Sequence, residues 1–233
     1  MPLPAEVEAH TQQGLRIFAA LAAAVTGIWA TTNLDDFDGF LGRVIPVTNA
    51  AMSAQAASAA VWLARNLGAP PAATRVDYAD IRRGVTQPQV YRRPLLEVRK
   101  HLKAGADFDA ALSRGGQRLQ AIAHTDAQTA YFNEVFRLRH SGPPPLFRRV
   151  VSGPNACGLC VAIAGQRLRT NEVKRRHTFC KCRVVAIADA ADDPGPLVAD
   201  EARTDPADVT VRDHAELGEV LTYADHRFAD LNQ

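Results

Sequence analysis

Aromatic side chains make up only 6% of this 233-residue chain, with two tryptophans and two methionines. A core with so few large rings has to close through small and branched residues, and the abundance of alanine favours closely packed helices. The apolar run from Ile17 to Ala30 is 14 residues long and has neither a basic flank nor a cleavage-like sequel. It falls short of the ~20 residues that cross a bilayer, so no membrane span and no secretory signal are expected. The glycines, including Gly115-Gly116, form no phosphate-binding loop. Ser152-Gly-Pro lacks the pattern of a nucleophile elbow, and there is no internal repeat. These absences speak against nucleotide-dependent, serine-hydrolase, membrane and solenoid functions. Hydrophobic residues nevertheless reach 47%, which excludes wholesale disorder and allows one sizeable core with a small satellite module.

The net charge is only +2, but it is unevenly spread. Arg148 to Arg183 holds nine basic residues and one acidic, whereas Val184 to Gln233 holds three basic and twelve acidic. A basic block before an acidic tail suits a polyanion-facing surface, a tail that shields the block, or simply two solvated faces.

The periodicity predicts a mainly α protein: long N-terminal helices, a small α+β module stapled by zinc, and an acidic tail ending in a helix. Residues 1–140 form the helical domain, 146–187 the metal module, and 188–233 the acidic linker with a C-terminal amphipathic helix. Helices are expected over Pro4–Ala30, Phe37–Leu67 (with a kink or restart at Pro46) and Asp107–His140, with short helices between Val76 and Leu102. On the third long helix, Leu119 and Ile122 mark one stripe, while Tyr131, Val135 and Leu138 mark a second, as if its end were contacted on two sides. Ser141-Gly-Pro-Pro-Pro145 is a stiff boundary. Cys180, Cys182, Val184 and Ala186 alternate as in a strand. Thr210-x-x-Asp213 resembles a capping box opening a helix along Leu217, Val220, Leu221, Ala224 and Phe228.

The chemistry sits in the cysteines. Cys157-Gly-Leu-Cys160 has the spacing of a metal knuckle, and sixteen residues later comes His177-Thr-Phe-Cys180-Lys-Cys182. In a reducing cytoplasm such cysteines serve as metal ligands more often than as disulfides. A structural Zn2+ would take Cys157, Cys160 and Cys180, with Cys182 and His177 competing for the fourth place. Arg175, Arg176, Lys181 and Arg183 are expected to lower the thiol pKa values and offset the thiolate charge. A filled tetrahedron leaves no open position, so the chain is not expected to be an enzyme or to bind a small-molecule substrate. The nearest approach to a deaminase motif, His124-Thr-Asp126, has the wrong carboxylate, and Pro154 stands three residues before Cys157 instead of directly before it. An alternative is a zinc-stabilised nucleic-acid-binding protein using Arg167, Arg169, Lys174, Arg175 and Arg176 on the loop between ligand pairs.

A larger pattern runs from His124-Thr-Asp-Ala-Gln through Arg148-Arg149-Val-Val-Ser-Gly, Cys157-x2-Cys160 and Ala164-Gly165 to His177-Thr-Phe-Cys180-Lys-Cys182. Over roughly residues 120–187 it resembles the minor head proteins of tailed bacteriophages, the Mu F-like group, especially forms from phages of actinobacteria. That family often ends the motif His-Pro-Asn-Cys-Arg-Cys, where Thr178, Phe179 and Lys181 stand here. The resemblance implies a minor capsid protein of the virion, made in the host cytoplasm and placed inside the phage head near the portal. It would contact the portal or major capsid protein, and packaged DNA, and take part in head assembly, DNA packaging or delivery. It also implies zinc at Cys157, Cys160, Cys180, Cys182 and His177, and nothing catalytic.

Overall fold

A computed structural model describes residues 4–68, 70–71, 73–137, 146–151, 158–169, 172, 180–187, 193–198 and 209–223. Three long helices dominate them: α1 (Ala5–Ala30), α2 (Phe37–Leu67) and α6 (Phe108–Arg137). The proline-punctuated stretch between α2 and α6 forms α3 (Tyr78–Ile81), α4 (Gln87–Tyr91) and α5 (Arg93–Lys103), as its composition predicts. Asp36 caps α2 by accepting from the Gly39 amide at 2.8 Å, and Gly68 at φ 63° ends it. The helix does not restart at Pro46. Gly42 and Pro46 are both exposed, so the carbonyl that the proline ring leaves without an amide faces water.

Helix α1 buries a stripe of Val7, His10, Thr11, Gly14, Phe18, Leu21 and Val25, spaced three and four apart. It is longer than the 14-residue run and, by length and composition alone, could cross a membrane. Here its stripe packs on α2 and α6. Phe18, Leu21 and Val25 meet Phe40, Val44, Met52, Tyr91, Leu95 and Leu119 in the main core. Trp29 lies across Gly115-Gly116, its indole donating to the Leu112 carbonyl at 3.1 Å. A Cβ on Gly115 would come within 2.6 Å of the ring and 2.9 Å of the Pro94 carbonyl oxygen. The glycine pair is therefore a docking notch.

Strand β1 (Leu146–Val151) is the centre of a three-stranded sheet. It pairs antiparallel with β2 (Arg183–Ile187), from Leu146↔Ile187 to Val150↔Arg183, and parallel with β3 (Leu197–Val198). Helix α7 (Gly158–Ala164) packs on β1. Phe147, Val151, Cys160, Ala164 and Val184 share one apolar cluster with Ala59 and Leu63 of α2 and Tyr131, Phe132 and Val135 of α6. The second stripe on α6 thus meets the sheet; Leu138 lies outside the described residues. A further cluster joins Val150, Val185 and Leu197 to Val7 and Trp62. Both clusters that reach this sheet contain helical side chains, so the sheet is built onto the bundle.

The expected C-terminal amphipathic helix is replaced, over residues 209–223, by a hairpin. Strands β4 (Val209–His214) and β5 (Gly218–Tyr223) pair antiparallel, from Val209↔Tyr223 to His214↔Gly218. Val209-Thr210-Val211 and Val220-Leu221-Thr222-Tyr223 are β-branched and aromatic, which favours strands. A three-residue turn closes on Gly218 at φ 74°, a conformation that suits glycine. Asp213 does not cap a helix; its carboxylate takes Arg83 at 2.8 and 3.1 Å. Ala224 and Phe228 lie outside the described residues. The turn itself is anchored from inside: Glu216 accepts from Arg93 at 2.5 and 2.9 Å and from Arg82 at 3.4 Å. Arg82 also donates to buried Asp126 on α6 at 2.6 Å, and that carboxylate takes the hydroxyls of Tyr78 and Tyr91 at 2.8 and 3.1 Å.

Candidate metal centre

The segment entering β2 is held by polar side chains reaching out of the helices. His124 Nε2 lies 3.1 Å from the Cys180 carbonyl oxygen, and Gln128 Nε2 donates to the Cys182 carbonyl at 2.6 Å. The Val184 carbonyl accepts from Trp62 Nε1 at 2.7 Å, and the Val184 amide donates to the Tyr131 hydroxyl at 3.4 Å. His124, Gln128 and Tyr131 are spaced four and three apart, so one stripe of α6 presents all three. His124 also stacks on Phe18, with ring centroids 3.8 Å apart.

This fixation places Cys180 and Cys182 inside and Lys181 between them outside, but both cysteines precede β2, and within β2 the expected alternation fails, because Arg183, Val184 and Val185 are all buried. Cys160 arrives from the first turns of α7. The three sulfurs are buried, unoxidised and within 4.8 Å of one another, with Cys160 and Cys180 3.9 Å apart. A tetrahedral ion with metal–sulfur bonds near 2.3 Å spaces its sulfurs about 3.8 Å apart. The cluster has the dimensions and the donor chemistry to hold such an ion. Cys157 and His177 lie outside the described residues.

Two arginines wall the cluster. Arg149 of β1 is fully buried, donates from Nη1 towards Cys180 Sγ at 3.8 Å, and lies over the Phe132 ring at 5.1 Å. Arg183, the first residue of β2, is also buried, its guanidinium carbon 4.3 Å from the Tyr131 ring centroid. The expectation that basic neighbours lower every thiol pKa does not hold at Cys182. The hydrogen bond with Cys160 lowers it, but the Cys180 sulfur and burial more than offset that, and the thiol stands well above its ordinary value. Three crowded sulfurs resist ionisation together unless a cation sits among them.

The nucleic-acid candidates fare differently. Arg167 donates to Asp193 at 2.5 Å, and Arg148 grips the same carboxylate through two bonds of 2.8 Å. The hydrogen bond from Arg148, joined by Arg167, holds the Asp193 carboxyl well below its usual range. The acidic segment thus covers part of the basic block, and Arg167 is engaged within the chain. Arg169 is exposed, with its backbone amide on Glu172 at 2.7 Å. Lys174, Arg175 and Arg176 lie outside the described residues. Asp126, considered beside His124 in the deaminase comparison, points into the Arg82 network and not to the sulfurs. Sequence reasoning missed Gln128, Tyr131 and Arg149 as parts of the site. The four-three spacing on α6 was the available signal for the first two. No model of a known protein family, no curated protein and no solved structure matches this chain.

Proposed function

We propose that the protein is a structural minor head protein of a tailed phage, with a zinc ion as a staple joining β2 and α7 to the helical bundle. The observation that carries the metal reading is the convergence of three buried sulfurs at the junction of α6, α7 and β2. Cys160, Cys180 and Cys182 are three ligands, and Cys157, with His177 as its competitor, completes the tetrahedron. A centre closed by four protein ligands scaffolds and offers no position to a substrate. Structural zinc contributes ~10–16 kcal/mol of apparent binding energy in small domains, ample for a small sheet whose apolar clusters are completed by side chains of the helices.

Placement inside the head, against portal or major capsid protein, rests on the motif order from His124 to Cys182. Metal analysis of the purified reduced protein should give one zinc per chain, and cobalt substitution should give the spectrum of a four-ligand tetrahedral site. Chelation should lower the melting temperature and open residues 146–187 to protease. A protein without metal, or unchanged by chelation, would refute the staple. Mass spectrometry of purified particles of the phage that encodes it should find the chain at low copy relative to major capsid protein; its absence from the particles would refute the virion role.

A further inference from the structure

The sulfurs leave two buried cations to be explained. Arg149 and Arg183 are 0% and 1% exposed. Arg183 is wedged between the Tyr131 and Phe18 rings, with its guanidinium carbon 4.3 and 5.7 Å from their centroids. It lies so tightly over α1 that a Cβ on Gly14 would overlap its Nη2. None of its three guanidinium nitrogens has a hydrogen-bond partner among the described residues. Aromatic faces offset only part of the cost of burying a cation, and a buried charge without an opposite charge nearby is strongly unfavourable. Among the described residues, two ionisable neighbours give it no anion: Tyr131 is held neutral by burial, and His10 is held neutral by burial and by Arg183 itself.

We propose that Arg149 and Arg183 are the counter-cations of the metal–thiolate centre, Arg149 through its N–H to the Cys180 sulfur and Arg183 through space from the α1–α6 side. Burial works against both charges and prevails at Arg183; the sulfurs pull the other way, Cys180, Cys182 and Cys160 attracting Arg149, and Cys180 and Cys182 attracting Arg183. A dication with three thiolates carries one negative charge, and with four it carries two. Two guanidinium groups therefore neutralise a four-thiolate centre, which favours a fourth sulfur over an imidazole. They are positioning residues: they touch no substrate, and they act by holding the sulfurs charged and oriented for the ion.

The proposal rests on the metal reading, and the test separates the two. Zinc affinity is measured by chelator competition on the full chain for the parent, Arg149→Met, Arg183→Met and Arg149→Lys, and melting is followed with metal and after chelation. The Met variants should bind zinc roughly 10–100-fold more weakly, the usual cost of removing an outer-sphere partner. After chelation they should melt at or above the chelated parent, because each removes a buried charge. Arg149→Lys should recover part of the affinity. If Arg149→Met fails to fold, Arg183→Met carries the same comparison. Unchanged affinities, or equal losses of melting temperature with and without metal, would overturn the counter-charge. A parent that binds no zinc would overturn the metal reading, and this proposal with it.

Discussion

Lowering the pH from 7 to 5 should weaken the fold by about 2 kcal/mol through His10 alone. Its ring stacks on Trp62, with centroids 4.5 Å apart and planes 4° from parallel, and its Nε2 lies 3.0 Å from the Tyr131 hydroxyl. Burial, then the nearby Arg183 charge, lowers its pKa from 6.5 to about 3. In the folded protein the ring stays neutral through this range, whereas in the unfolded chain it gains a proton near pH 6.5. The unfolded state thus binds more protons below 6.5, so the contribution is complete above that pH and is lost progressively down to about 3. Each pH unit inside the window is worth about 1.4 kcal/mol, and the interval from 7 to 5 spans about one and a half such units. Urea unfolding at both pH values, on the parent and on His10→Gln, isolates the effect. His214 and the cysteines are common to both proteins, while Glu216 and Asp193, depressed below 4.5 and 3.8, keep their charge at pH 5. The parent should lose about 2 kcal/mol more than the variant. Equal losses would refute the buried neutral imidazole.

Two further substitutions probe the packing. Gly115→Ala should destabilise by about 1–3 kcal/mol despite alanine's better helix propensity, because the new methyl meets the immobile Pro94 carbonyl. Gly27→Ala, with open space around the new methyl, should stabilise by up to about 1 kcal/mol; thermal melting that gives both the same sign would refute the notch. Glu216→Gln breaks the buried pair with Arg93 and should cost about 3–5 kcal/mol. Hydrogen exchange should then quicken across β4 and β5, and unchanged protection there would refute the anchoring.

The parts of this fold that were legible in sequence are those fixed by local periodicity. The three long helices follow from apolar spacing, whereas the strand alternation read through Cys180, Cys182, Val184 and Ala186 placed the sulfurs inward but put Arg183 and Val185 on the wrong side. The C-terminal segment was illegible because Leu217, Val220 and Leu221 fit a helical stripe as readily as a hairpin. Gly218 and three arginines more than a hundred residues away decide the matter. Arg149 and Arg183 read as members of a solvated basic block, since nothing local marks an arginine as buried. Their burial depends on rings and sulfurs brought from α1, α6 and α7. The mainly helical class and a sulfur cluster were therefore within reach, and the electrostatics around that cluster were not.

The stripe on α6 that receives the cysteine segment also imposes an order of assembly. Trp62 and Val184 are 122 residues apart, and Arg93 and Glu216 are 123 apart. At the ~5–20 residues per second of synthesis, the helices are made through Arg137 roughly 4–17 s before Tyr223 is added. During that interval His124, Gln128 and Tyr131 face no strand, and Arg82 has Asp126 but not yet Glu216. The bundle must hold its shape with this seam wet. The sulfurs come next and the hairpin last, so the nascent chain is most exposed to proteases and to wrong partners along α6, and the cysteine segment closes a gap that the helices had to leave open.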